Sequence, residues 1–244
     1  MTAVDPVDVS ITMPAYNEEA NIERTIRECM DTLRNERISG EVIVTNDGSR
    51  DGTLAVLEKL AEEFNELRYI DLEQNLGYGG ALKKAIDTSK GRYVLTIDSD
   101  GQFDIADLPR LLKKIQEGYD CVTGYRARKK DTLPRVIANW GYNLLVKLLC
   151  GISYKDSQCA LKMFVGDVIR SFSVEARGFT FPTEILIKLK YYGYSTEEIS
   201  VSHRHREGGE SKVSFFKTIR IMFTFLLYIR FKRFLHEKRI IYQF

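Results

Sequence analysis

The stretch YVLTIDSDGQF, residues 93–103, runs apolar for the length of a strand and then turns abruptly acidic. It delivers two carboxylates, Asp98 and Asp100, one residue apart. In extended backbone, residues i and i+2 face the same side, so both carboxylates can converge on one point. Carboxylates held that close repel unless one is protonated or a cation lies between them. Hard oxygen ligands suit Mg2+ or Mn2+, which keep waters and complete their shell with phosphate oxygens. A plain acidic turn is the alternative. A calcium-binding loop of the EF-hand type starting at Asp98 needs glycine at its sixth position and glutamate at its twelfth. This chain has Phe103 and Pro109 there, which excludes it. A phosphatase strand ending D-x-D-G-[TV] is disfavoured by Gln102 and by the motif's place on a fourth strand.

Upstream of this stretch, short Val/Ile-rich runs alternate with amphipathic ones. VSITMPA, EVIVTND, LRYIDLE, RYVLTID and YDCVTGYR read as strands. EEANIERTIRECMDTLRNE, TLAVLEKLAEEF, GALKKAIDTSK and LPRLLKKIQEG read as the helices between and after them. That rhythm implies βαβ units around a parallel sheet, with right-handed crossovers covering both faces. Beyond Arg126 the rhythm loosens. A helix is expected through Pro134, a short strand at CALKMF, a helix begun by Pro182 and a strand at TEEISVSHRH. The division expected is one domain, residues 1–211, with a C-terminal appendage, 212–244.

In open parallel sheets, ligands bind beyond the carboxyl ends of the strands, where loops open onto helix N-termini. Three such ends carry polar, turn-forming clusters: PAYNEE (14–19), NDGSRDGT (46–53) and DSDGQ (98–102). In NDGSRDGT, Ser49 or Asp51 can cap the following helix, and Asp47 can accept a hydrogen bond from a nucleotide base. NLGYGGALKK is either a Gly-rich turn or a place where Gly79 and Gly80 admit a ligand, with Lys83 near its phosphates. Neither G-x-G-x-x-G nor a P-loop is present.

The chain has 244 residues, 44% hydrophobic and 29% charged, with a net charge of +2. Such a balance fits a globular protein with a core and does not suggest nucleic acid as a partner. The four cysteines lack C-x-x-C spacing and read as buried, reduced thiols. The N-terminus reads as no signal peptide. The longest uncharged apolar run, Ile221 to Ile229, is far short of the ~20 residues that span a bilayer. From Lys212 onward the chain carries eight Lys/Arg, nine aromatics and one acid, Glu237. A helix apolar on every side must be buried in something: a membrane interface, a partner subunit or its own core.

The ordered set PAYNEE, NDGSRDGT, NLGYGGAL and DSDGQ resembles the family 2 glycosyltransferases over roughly residues 8–212. The match is to the branch that moves a sugar onto a polyprenyl phosphate, such as the dolichyl-phosphate mannose synthases. GYRARKK, DSQCALKMF and REGGESK point to that branch. The resemblance implies the nucleotide-diphospho-sugar transferase fold, a Rossmann-like α/β three-layer sandwich of GT-A type with a mostly parallel central sheet. It implies that Pro14, Tyr16 and Glu18 line the base and ribose, with Asp47 on the base. Asp98 would meet ribose or metal, Asp100 the metal, and Gln102 the same cluster. Arg126 and Arg128 would meet an acceptor phosphate, and Arg206, Ser211 and Lys212 would close over the diphosphates. Two departures stand out: GQFDIADLP follows the acidic motif where relatives often continue into His-Pro or Pro-Pro, and no appended transmembrane helices are legible.

The chemistry implied is inverting, metal-dependent transfer of a hexose from a GDP- or UDP-sugar to a polyprenyl (dolichyl) phosphate. A phosphate acceptor is largely dianionic near neutral pH and needs no general base. Were the acceptor a hydroxyl, Glu184 is the candidate base; a non-catalytic nucleotide-sugar-binding subunit is the other alternative. His203 and His205 alternate on a strand without a third ligand nearby in sequence. The expected location is cytoplasmic, peripheral on a membrane, held by the tail on the bilayer or on a membrane subunit.

Overall fold

The computed structural model describes residues 7–127, 133–204, 215–241 and 244, with the backbone alone for 133–139 and 215–219. Its first half runs β1 (Val9–Ala15), α1 (Ile22–Asn35), β2 (Gly40–Asn46), α2 (Thr53–Glu63), β3 (Leu67–Asp71), α3 (Tyr78–Thr88), β4 (Tyr93–Thr96) and α4 (Leu108–Ile115). The second half runs β5 (Cys121–Arg126), α5 (Leu133–Cys150), β6 (Lys162–Val165), α6 (Gly166–Ser171), α7 (Phe181–Tyr191), β7 (Thr196–Val201) and α8 (Phe215–Glu237).

The strands form one sheet in the order β3-β2-β1-β4-β6-β5-β7. β1 pairs in parallel with both β2 and β4, placing Ile11 between Val42 and Leu95. β6 runs antiparallel to both β4 and β5, so the sheet is mostly parallel. Buried side chains alternate across it: Leu95 packs with α1, α2 and α4, whereas Val94 faces α3, α5, α7 and α8. This is the expected three-layer α/β sandwich.

Differences from the sequence reading have local causes. α1 begins at Ile22 rather than Glu18, because Glu18 and Glu19 serve the neighbouring loop. α6 had no legible signal in its six residues. The direction of β6 is not encoded in an isolated apolar run. Of the burying surfaces left open for the C-terminal segment, its own core takes one side of α8, where Leu226 and Ile229 are fully buried with α5 and α7 residues. Among the described residues no helix is long and apolar enough to cross a membrane.

Leu95, fully buried at the middle of β4 against Ile11 and Met163, tests this core. Leu95→Ala is expected to cost roughly 2–5 kcal/mol in urea unfolding with an unchanged m-value.

Candidate active site

The carboxyl ends of β1, β2 and β4 open on one rim, and their loops are tied together. The Asn17 amide donates to Ser49 Oγ (2.9 Å), the Glu18 amide to Thr53 Oγ1 (2.9 Å) and the Gly52 amide to Glu19 Oε2 (2.9 Å). Ser99 Oγ donates to the Pro14 carbonyl at 2.8 Å, fastening DSDGQ to PAYNEE. Asp51, not Ser49, reaches the first turn of α2, accepting the Thr53 amide at 3.1 Å.

The resulting cleft has a volume of about 410 Å3. The end of β1 and the loop after it supply Pro14, Tyr16 and Glu18; the residue after β2 is Asp47; the acidic motif supplies Asp98, Ser99 and Asp100. Asn75, Gly77 and Tyr78 at the start of α3 form one wall, and Gly178 and Phe179 before α7 form another. Asp47 is almost wholly buried and accepts the Leu76 amide at 2.6 Å. Burial pushes its carboxyl up, and the Leu76 and Gly77 amides partly offset this.

Asp98 and Asp100 reach the same cleft. Burial first, and the Asp100 charge second, push the Asp98 carboxyl up to about 7. Tyr78, at the first turn of α3, donates its hydroxyl to Asp98 Oδ1 at 2.9 Å. The same ring stacks on Phe179 at 5.7 Å and meets Phe181 edge-on. Asp100 Oδ1 accepts the Gln102 amide at 3.1 Å. Gly101 between them has φ +71°, and a Cβ there would meet Arg24 at 2.2 Å. A pair of crowded carboxylates whose charge is disfavoured suits a divalent ion. Among the described residues no group of three His, Cys, Asp or Glu converges to hold one. An ion held by these two carboxylates would take its remaining ligands from a diphosphate or water.

Several expected residues stand elsewhere. Gln102 does not line the cleft; its carbonyl accepts the Arg204 amide at 2.7 Å, beside the bridge of Phe103 to His203. Lys83 pairs with Asp87 one turn along α3, and Gly80 lies against Leu76; neither lines the cleft. The close approach is at Gly79 and comes from the protein itself: a Cβ there would stand 1.8 Å from the Ala176 carbonyl oxygen. Arg126 is clamped by buried Asp156 through two bonds of 2.7 and 3.1 Å. Its charge still reaches Asp98, favouring the ionised form. Arg128, His205, Arg206, Ser211 and Lys212 lie outside the described residues.

Glu184 is fully buried, which corrects its candidacy as a base. Its carboxylate pairs with buried Lys188 at 2.9 Å and accepts the Glu175 and Ala176 amides at 3.1 and 2.8 Å. It therefore holds the 172–180 segment whose end carries Phe179. Tyr78, Phe179 and Asp156 escaped the sequence reading. Tyr78 lay inside a motif read for its glycines, and Asp156 in DSQ became meaningful only opposite Arg126.

This fold and this rim of carboxylates define a nucleotide-sugar transferase framework. Residues 10–172 match the family described as Glycosyl transferase family 2, and the chain belongs to that family. It is 32% identical over 223 residues to an undecaprenyl-phosphate 4-deoxy-4-formamido-L-arabinose transferase of Photorhabdus laumondii, covering 89% of this chain and 66% of that protein. It is 31% identical over 222 residues to glycosyltransferase AglD of Haloferax volcanii, covering 87% of this chain and 35% of that protein. It is 28% identical over 237 residues to a dodecaprenyl-phosphate galacturonate synthase of Rhizobium johnstonii, covering 95% and 69%. The chain thus spans from about a third to about two thirds of these relatives' lengths. Glucosyl-3-phosphoglycerate synthase from Mycobacterium tuberculosis, solved with Mn2+, UDP and glucosyl-3-phosphoglycerate, shares the fold. Its TM-score is 0.69 at 21% identity, over 91% of this chain and 79% of that one.

Without a cation, folded Asp98 keeps its proton up to about pH 7, whereas the unfolded group, at 3.8, has lost it. Native stability therefore falls as pH rises between those values. In EDTA, Asp98→Asn is expected to melt above the wild type at pH 8, with the gap narrowing at pH 5 and closing near pH 4. A gap independent of pH would refute the charge penalty. Glu184→Gln removes the nearest carboxylate from buried Lys188 and is expected to cost roughly 3–5 kcal/mol by chemical denaturation. Glu184→Gln with Lys188→Met should recover much of that loss.

Proposed function

We propose that this chain is an inverting, metal-dependent hexosyltransferase that uses a GDP- or UDP-sugar as donor and a polyprenyl phosphate, dolichyl phosphate among them, as acceptor. The observation that carries the reading is the convergence of three strand-end loops on one cleft, with Asp98 and Asp100 on its floor. The named activities of the undecaprenyl- and dodecaprenyl-phosphate relatives support the acceptor class. Residues 1–211 would form the catalytic unit and 212–244 the appendage.

In this reading Pro14, Tyr16 and Glu18 line the base and ribose, and Asp47 accepts a hydrogen bond from the base. Asp98 and Asp100, the members of the expected trio that line the cleft, would hold Mg2+ or Mn2+. Such an ion neutralises charge developing on the departing diphosphate. Tyr78 restrains Asp98 through its Oδ1. An acceptor phosphate attacks as a dianion on the face of the anomeric carbon opposite the leaving group, so the configuration inverts. No proton has to be removed. What the protein must supply is positive charge, and Arg126, oriented by Asp156, is the described group suited to it. Arg128 is proposed to share that role, and Arg206, Ser211 and Lys212 to close over the diphosphates. The chain reaches that last segment from Arg204, bonded to Gln102.

A hydroxyl acceptor is less well supported, because Glu184 faces the protein interior. The enzyme is proposed to work peripherally on the cytoplasmic face of a membrane, where a lipid acceptor lies. The four buried free thiols suit a reducing compartment.

Transfer of labelled hexose from UDP- and GDP-sugars to a polyprenyl phosphate, with Mn2+ and then with EDTA, tests the reading. Transfer is expected with the ion and its loss in EDTA; undiminished transfer in EDTA refutes the metal role, and nucleotide binding without transfer favours a silent subunit. Asp100→Asn is expected to lower transfer about 100-fold. Arg126→Lys keeps the charge but loses the fork, and should raise acceptor KM about tenfold at unchanged nucleotide affinity.

A further inference from the structure

We propose that Phe179 is a specificity-determining residue of the cleft: its ring is the platform on which the transferred sugar stacks, and that sugar is a neutral pyranose rather than a uronate. Phe179 lines the cleft and is 49% exposed, whereas Phe181 two residues on is buried. The exposed ring is held in place by its neighbours. It stacks on Tyr78 at 5.7 Å with 28° between the planes. Tyr78 is braced in turn by Phe181, edge-on, and by its bond to Asp98 at 2.9 Å. The backbone leading to Phe179 is also fixed. The Arg177 carbonyl accepts the Gly79 amide at 2.9 Å, and the Ala176 amide donates to buried Glu184 at 2.8 Å. An open aromatic face positioned in advance offers apolar contact at little ordering cost.

Its place along the sheet selects the group it meets, a step that rests on the proposed function. The rim runs through β2, β1, β4, β6 and β5 in that order. A nucleotide sugar with its base on Asp47, after β2, and its diphosphate on the carboxylates after β4 points its sugar toward β6 and β5. Arg126 ends β5 there. Phe179 belongs to a wall that covers this interval. Tyr78 joins it to Asp98 at one end. At the other, the first turn of α7 bonds the loop before β6: the Gln158 side-chain amide donates to Thr183 Oγ1, two residues from Asp156, which holds Arg126. The transferred sugar lies between the departing diphosphate and the attacking phosphate, and so beside this wall. A pyranose carries a face of C–H bonds, and an aromatic ring is the surface that packs against it.

Charge narrows the sugar further. Glu18, Asp47, Asp98 and Asp100 line the cleft, and no lysine or arginine is among its described lining residues. A uronate would bring another carboxylate beside Asp98 and Asp100, where like charges disfavour one another. The nearby guanidinium of Arg126 is engaged by Asp156 through two bonds and is assigned to the acceptor. A sugar bearing only hydroxyls adds no charge, and its hydroxyls can donate to the carboxylates.

Calorimetry on the full chain in Mn2+ compares each sugar nucleotide with its own diphosphate: UDP-glucose with UDP, and GDP-mannose with GDP. For the pair that binds, Phe179→Ala is expected to weaken the sugar nucleotide about tenfold while the free diphosphate binds as in the wild type. Phe179→Tyr, which keeps the ring, should restore the wild-type ratio, and Phe179→Leu should not. The matching uronate, UDP-glucuronate or GDP-mannuronate, should bind the wild type at least about tenfold more weakly than the neutral sugar nucleotide. The proposal is overturned if Phe179→Ala weakens the free diphosphate as much as the sugar nucleotide, which would put the base on the ring. It is overturned equally if the ratio does not change, or if the uronate binds as well as the neutral sugar. These three outcomes count against the role of Phe179 and leave the proposed reaction standing. A wild type that binds neither UDP nor GDP removes the proposed function, and this inference with it.

Discussion

β1 hydrogen-bonds in parallel to β2 and β4 at once, and the cleft follows from that double pairing. Parallel neighbours end on the same rim, so Ala15, Asn46 and Thr96 deliver their loops to one place. Side-chain bonds between the loops then remove most of their freedom. Asn17, Ser49, Glu19, Thr53 and Ser99 act as ties among PAYNEE, NDGSRDGT and DSDGQ. A cleft so fastened keeps its carboxylates at fixed separations before any ligand arrives, which is the condition for electrostatic stabilisation without reorganisation.

The far wall is built differently. Between α6 and α7 the chain has no regular secondary structure, so its backbone amides need other partners. Buried Glu184 accepts two of them and is itself neutralised by Lys188. A buried ion pair contributes little net stability but gives one geometry when its lone pairs are all used. That geometry presses the Ala176 carbonyl against Gly79 and sets Phe179 against Tyr78. Glu175 in the same segment bonds α8, so one stretch of chain joins the cleft wall to that helix.

Electrostatically the cleft is acidic, lined by Glu18, Asp47, Asp98 and Asp100. Asp98 and Asp100 crowd each other, and Asp47 is pushed up by burial. Arg126, held by Asp156, favours the ionised form of Asp98. Such a balance is suited to an ion and a diphosphate arriving together, since each offsets the other's charge.

Much of this was legible in local chemistry. Alternating apolar periods determined the parallel half of the sheet, because βαβ units are written in segments of strand and helix length. The three turn clusters pointed to the rim, and Asp98 and Asp100 both line its cleft, although β4 stops at Thr96 and a turn at Ser99 and Asp100, not strand alternation, brings them there. Pairings across long separations were not legible. Nothing near Glu184 announces Lys188 and the 175–176 amides as its partners, and the acid looked equally fit to be a base. Asp156 gained meaning only opposite Arg126, and Gly79 only beneath Ala176. The antiparallel insertion of β6 and the division of α8 into a buried and an outward side were likewise decided by packing. An apolar run states that it will be buried, but which surface buries it depends on chain segments that sequence neighbourhood does not contain.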